Sequence, residues 1–290
     1  MDRCAEVDTL IDKRRDEMIA RYPEVWKNII AGWNASDSDD LGWLMYSANY
    51  LFRTHNVRWA IDPLTLNSRV PGATGVDITH DLKNLDFVLL THRHGDHLDI
   101  DLLRALRHLS IQWVVPEAIL PIVRDDSGIP IQQILIPKPA QPIELLGLRI
   151  IPFKGLHYEK SAHGATLKDV PTTAYLVECD GKRWLFPGDT RNYDPVSMPD
   201  FGEVDVLFAH LWLGNGMALH PHPPLLNEFC NFCLSFHPHR IILTHLEEWG
   251  RRAPDFWGLE RAGQVVSILC KQAPNVPIKV ACTGDEILLN

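Results

Sequence analysis

Four short apolar runs in this chain each lead to a histidine or an aspartate: DFVLLTHRHGDH (86–97), LRIIPFKGLH (148–157), KRWLFPGD (182–189) and RIILTH (240–245). Runs of this length, stopped by Gly, Pro or a polar residue, read as strands. In α/β sheets the carboxyl ends of strands are where functional side chains gather. A chain that puts ligand-type residues after four of its strands must fold so that those ends can serve a site, and that requirement limits the fold more than composition does.

The first run carries the densest cluster. His92 and His94 alternate, so at a strand end they can point the same way. Asp96 and His97 follow from the loop and the start of a helix, and Gly95 lets the backbone turn between the two pairs. One divalent ion in a catalytic site takes about three protein ligands plus water. Four donors in two differently aimed pairs point to two ions, which need further ligands. His157, Asp189 and His245 supply them, each just past an apolar run. Each has a rival. His163 competes with His157 but lies in the polar stretch KSAHGAT; Asp285 competes with Asp189 from a second Gly-Asp pair; His237 and His239 flank Pro238 in what reads as a solvated turn before the strand of His245.

Around these residues the chain reads as follows. Residues 5–33 form an amphipathic helix, with Leu10, Ile11, Met18, Ile19, Tyr22, Trp26, Ile29 and Ile30 near helical spacing, and an acidic break NASDSDD (34–40) follows. Further strands are expected at 57–62, 111–116, 173–179, 204–209 and 278–283, with helices near 99–108, 224–236 and 256–272. Asp180-Gly181 is a hairpin turn. No linker divides the rest, so residues 1–40 are expected to form a helical extension packed on one domain over 41–290.

HxHxDH, a distant His, GDT and a final His at a strand end together resemble the metallo-β-lactamase superfamily. SANYLF and VRWAIDP (47–63) are similar to its opening hairpin, and TGDEILL (283–289) to its last strand, so the resemblance covers roughly residues 45–290. The simple layout is most similar to the lactonase-like and phospholipase D-like branch. The resemblance implies an αββα sandwich with a binuclear metal centre. It implies that His92, His94 and His157 hold one ion, that Asp96, His97 and His245 hold the other, and that Asp189 bridges them. The implied cofactors are two divalent ions, zinc first with manganese or iron as alternatives. The implied reaction is hydrolysis of a small ester, lactone or phosphodiester by a metal-bridging hydroxide that Asp96 also orients. Rival readings are an iron-dependent oxidoreductase on the same fold, a nuclease-type phosphodiesterase and a non-catalytic metal-binding protein. The diiron oxidoreductases of this fold resemble the motif with Glu in place of its second His, where this chain has His94.

Other residues are weighed against plainer roles. His210 ends the run VDVLFA and is a candidate for proton transfer; His163 is a second one. His220 and His222 flank Pro221 in a Pro-rich loop that could rim a pocket. Cys230-Asn-Phe-Cys233 falls on a predicted helix with no second CxxC, so it reads as packing, as do Trp249 and Trp257. A net charge of −9 makes long nucleic acid a poor partner. No apolar run approaches the roughly 18–20 residues of a membrane span. The charged amino terminus lacks the apolar core of a signal peptide, so a cytoplasmic enzyme with a small-molecule substrate is expected. Homo-oligomerisation is left open.

Overall fold

Parallel strands bring their carboxyl ends to one edge of a sheet, and both sheets of this chain use that geometry. The computed structural model describes residues 3–35, 40–160, 167–213 and 223–290. The chain forms two compact units: Met1–Pro137 with Glu248–Ala253 and Cys282–Asn290, and Lys138–Glu247 with Pro254–Ala281. The fold is mixed α/β, with one seven-stranded sheet in each unit.

In the first unit, β1 (Leu41–Leu44), β2 (Tyr50–Thr54) and β3 (Val57–Ile61) form an antiparallel meander. β4 (Phe87–Leu89), β5 (Gln112–Val114) and β6 (Ile134–Leu135) continue it in parallel from β3, and the chain's last strand, Glu286–Leu288, closes the other edge against β1. β4 is buried throughout, which its continuous apolar run requires of a strand inside a parallel block. Because β3 and β4 are parallel, Asp62 after the one and Thr91-His92 after the other emerge at the same sheet edge.

The long helix α1 (Arg3–Asn34) belongs to this unit. It buries Ile11, Met18, Tyr22, Trp26, Ile29 and Trp33 while Leu10 stays exposed, which is one apolar face at helical spacing. The polar atoms of buried aromatic rings seek partners, and here they find them. Tyr22 Oη donates to Met45 O at 3.2 Å. Trp26 Nε1 donates to Asp81 Oδ2 at 2.7 Å, and Trp33 Nε1 donates to Phe52 O at 2.8 Å. α2 (Ile100–Leu106) starts later than the sequence pattern suggests, because Asp99 is its N-cap and accepts from Leu102 N at 3.0 Å. An aspartate in that position satisfies a donor that the first turn leaves unpaired. Asp96 and His97 therefore stand in a turn ahead of the helix.

In the second unit, β7 (Ile143–Leu145), β8 (Leu148–Lys154), β11 (Thr173–Cys179) and β12 (Lys182–Phe186) pair antiparallel, and β9 (Tyr158–Lys160) and β10 (Leu167–Asp169) form a separate ribbon. β13 (Val204–His210), β14 (Pro238–Thr244) and β15 (Ile278–Val280) extend the sheet in parallel from β12. β8 is antiparallel to β11 and β11 to β12, so β8 runs the same way as β12, β13 and β14. The residues that follow these four strands leave from one edge. The β11–β12 turn has Asp180 at φ 48 and Gly181 at φ 77. Those are the paired positive angles that a two-residue hairpin needs. β14 begins at Pro238, two residues earlier than its apolar run, so His239 lies in the strand with its side chain exposed. A first-residue proline has no N–H to leave unpaired.

α3 (Pro223–Leu234) and α4 (Leu259–Gln272) pack on this sheet. Phe229, Cys230, Phe232 and Cys233 share an apolar cluster with Ala262, Val265 and Leu269. Burial pushes the Cys230 thiol up to about 12 and raises that of Cys233 well above the usual thiol range. Both therefore stay protonated and unreactive at neutral pH. Among the described residues no helix is long and apolar enough to cross a membrane.

This packing predicts that iodoacetamide at neutral pH alkylates the exposed Cys270 of the native protein and leaves Cys230 and Cys233 untouched until the chain is unfolded, as read by peptide mass mapping. Rapid labelling of the pair in the native state would show that α3 does not bury them.

Candidate metal centre

The loop after β4 is built around a carboxylate that comes from β3. Asp62, 1% exposed, accepts from Thr91 N at 2.8 Å through Oδ1, and from the Thr91 hydroxyl through Oδ2. The same Oδ2 lies 2.8 Å from His97 Nδ1. Burial pushes the Asp62 carboxyl above the usual carboxylate range, and its bonds to His97 and Thr91 work against that rise, as hydrogen bonds to the charged form must. With Nδ1 tied to Asp62, the ring of His97 has its Nε2 for a ligand role. A carboxylate behind an imidazole in this way is a common device for fixing a metal-binding histidine.

Thr91 Oγ1 is also 3.0 Å from His92 Nδ1, and His92 Nε2 is 3.1 Å from His94 Nδ1. Two ring nitrogens that close, on side chains two residues apart, converge on one point. The rings of His92 and His97 are 4.3 Å apart. Asn49, fully buried before β2, ties the frame together. Its amide nitrogen donates to Asp62 O at 2.8 Å and to Asp96 O at 2.9 Å, while its carbonyl oxygen accepts from Ser47 N and Ala48 N.

Asp96 is buried and meets Arg251 Nη2 at 3.0 Å. Arg251 Nε pairs with Glu248, and Glu248 Oε1 accepts from Arg69 Nη2 at 2.9 Å. Arg69, Asp96, Glu248 and Arg251 all belong to the first unit.

In the second unit the four strand ends supply His157, Asp189, His210 and His245, all buried. Asp189 Oδ1 lies 2.9 Å from His210 Nδ1 and 3.0 Å from His245 Nδ1, and Asp189 Oδ2 is 3.9 Å from His157 Nε2. Asp189, His210 and His245 each offer a ligand atom within 4.8 Å of the others. The backbone is bent to do this. Gly188 sits at φ 69 before Asp189, and His245 at φ 63 just beyond β14. The latter is a left-handed conformation that a non-glycine residue holds at a cost. The next residue but one, Glu247, repeats it at φ 53 and is fixed by its N–H on Trp257 O at 2.7 Å. Arg191 stacks on Trp212, 4.5 Å from the ring, donates to Thr190 O and Trp212 O, and brings Nη2 to 3.7 Å from Asp189 Oδ2.

Among the rivals, Asp285 closes a turn by accepting from Cys282 N at 2.9 Å, and His239 stands by Glu203 and Asp205 at the opposite end of β14 from His245. Trp249 and Trp257 are buried. His163, His220 and His222 lie outside the described residues. Sequence reasoning misses Asp62, Arg69, Arg191, Glu248 and Arg251. Asp62 is open to the rule that finds the others, since VRWAID is one more apolar run ending on a carboxylate. The arginines carry no such mark.

The donor set suits a metal: imidazoles and carboxylates at strand ends and in the turn after β4, buried except for the half-buried His94, with His97 oriented from behind by Asp62. Residues 61–246 match the family model described as beta-lactamase superfamily domain. The chain belongs to the metallo-β-lactamase superfamily. It is an enzyme of the metal-dependent hydrolase type found there. A UPF0173 metal-dependent hydrolase of Staphylococcus carnosus (strain TM300) is 21% identical over 223 residues, 74% of this chain and 90% of the relative. Solved structures share the fold, among them Igni18 and CmlA. Igni18, a metallo hydrolase from Ignicoccus hospitalis KIN4/I, superposes with a TM-score of 0.61 at 18% identity over 87% of this chain and 98% of its own. CmlA, a diiron β-hydroxylase from Streptomyces venezuelae, does so with 0.63 at 17% identity; the match covers 89% of this chain and 55% of CmlA.

Asn49→Ala is expected to destabilise the first unit by about 0.5–1.5 kcal/mol for each of the two bonds from its amide nitrogen to buried carbonyls. Urea unfolding followed by tryptophan fluorescence reads this directly, and an unchanged midpoint would remove Asn49 from the frame.

Proposed function

We propose that this enzyme hydrolyses a small ester, lactone or phosphodiester with two divalent ions. In this reading His92, His94 and His157 hold one ion, Asp96, His97 and His245 the other, and Asp189 bridges. The observation that carries the reading is the donor set itself: seven imidazoles and carboxylates at strand ends and in the turn after β4, one oriented by Asp62 and two converging through His92 Nε2 and His94 Nδ1. Such donors suit zinc first and also accept manganese or iron. When bound, a pair of these ions supplies hydroxide from water near neutral pH and offsets the negative charge that develops on the attacked oxygen.

The chain's own residues have separate tasks. Asp62 keeps His97 in one tautomer, and Asn49 fixes the backbone of Asp96 relative to that of Asp62. His210, held on Asp189 through Nδ1, is assigned the transfer of a proton to the leaving group, because imidazole titrates near neutral pH. The net charge of −9 favours a small substrate over a polyanion.

Zinc-supplemented protein is expected to hydrolyse members of an ester, lactone and phosphodiester panel, to lose that activity to a chelator and to regain it with metal. His210→Ala is expected to lower kcat by about 100-fold while leaving metal content unchanged. Turnover confined to structured RNA, or dioxygen-dependent oxidation without hydrolysis, would overturn the substrate assignment; unchanged kinetics for His210→Ala would take that residue out of the reaction.

A further inference from the structure

The burial of Glu248 is not explained by packing alone. Its side chain is 3% exposed, and a charge so placed needs partners. It has two guanidinium groups, Arg69 at 2.9 Å and Arg251 on the same stretch of chain. Both arginines go on to touch the HRHGDH loop. Arg251 Nη2 reaches Asp96 Oδ2 at 3.0 Å, and Arg69 Nη1 lies over Gly95, within 3.2 Å of where a side-chain carbon there would stand. The backbone is fitted to this arrangement. A Cβ at Gly250 would come to 2.9 Å from Arg69 O, and Gly250 N donates to Tyr46 Oη at 3.4 Å. Only glycine lets the segment 248–253 approach so closely. The charges alternate, Arg69, Glu248, Arg251, Asp96, and each one restrains the next.

We propose that Arg251 is the positioning residue for Asp96, with Glu248 and Arg69 as the brace that fixes its guanidinium. The assignment rests on the reading of Asp96 as a metal ligand. A carboxylate among imidazoles in a buried turn has several rotamers open to it, and reorienting it on metal entry would cost affinity. A guanidinium held by a buried carboxylate removes that freedom beforehand. Partners that hydrogen-bond a ligating carboxylate from outside typically contribute about 10–100-fold to metal affinity.

The test is zinc affinity and stoichiometry, measured by competition with a chromophoric chelator, for wild type, Asp96→Asn, Arg251→Met, Arg251→Lys and the double variant Asp96→Asn/Arg251→Met. Since Arg251→Met leaves Glu248 with one cation fewer, Glu248→Gln/Arg251→Met is included as a version that removes both charges and spares the fold, checked by circular dichroism. Arg251→Met and the Glu248→Gln pair are expected to weaken the weaker-bound zinc about 10–100-fold, with partial recovery in Arg251→Lys. If Arg251 acts through Asp96, the double variant loses no more than Asp96→Asn alone. Wild-type affinity in Arg251→Met, or losses that add in the double variant, would overturn the positioning role while the metal site stands. Equal zinc binding by wild type and Asp96→Asn would instead overturn the reading of Asp96 as a ligand, and the proposal with it.

Discussion

Asp62 gathers three hydrogen bonds from the loop that follows the neighbouring strand: the N–H and hydroxyl of Thr91 and Nδ1 of His97. Parallel pairing of β3 and β4 makes this possible, since it places the end of one strand beside the end of the next. Through Thr91 the restraint passes to His92, and through Asn49 to the backbone of Asp96. The motif loop is thus held by backbone and side-chain bonds from two neighbouring segments. In the second unit the same role falls to strand direction, which brings His157, Asp189, His210 and His245 out at one edge.

Asp96 and Asp189 each have an arginine at their side, Arg251 for Asp96 and Arg191 for Asp189. The two guanidinium groups are themselves restrained, one by Glu248 and the other by Trp212 and two carbonyls. Buried carboxylates flanked by imidazoles carry a desolvation cost, and a fixed cation close by offsets it. The arrangement keeps both carboxylates oriented.

How much of this can be read from sequence follows from the range of the interactions involved. Strands and the HRHGDH loop are legible because apolar runs and their stops are local, and so is the Asp180-Gly181 turn. The boundaries that slip do so for local reasons of another kind. Asp99 caps α2 late, and Pro238 opens β14 early. Of the donors, those directly after a strand stand out. Asp62 follows the same rule and escapes notice because its run reads equally well as part of a hairpin. Arg69 and Arg251 lie far from Asp96 in the chain, and an arginine among the 28 basic residues carries no local sign of what it will meet. Their role depends on Glu248 being buried between them, which only the folded chain reveals.

In the proposed reading His92, His94, Asp96, His97, His157, Asp189 and His245 form one binuclear centre. Anomalous scattering at the zinc edge, from crystals of the zinc-loaded protein, tests it most directly. Two peaks are expected, with Asp189 touching both, His92, His94 and His157 on one, and Asp96, His97 and His245 on the other. A single peak, or zinc bound by Cys230 and Cys233 with the strand-end histidines left aside, would contradict it.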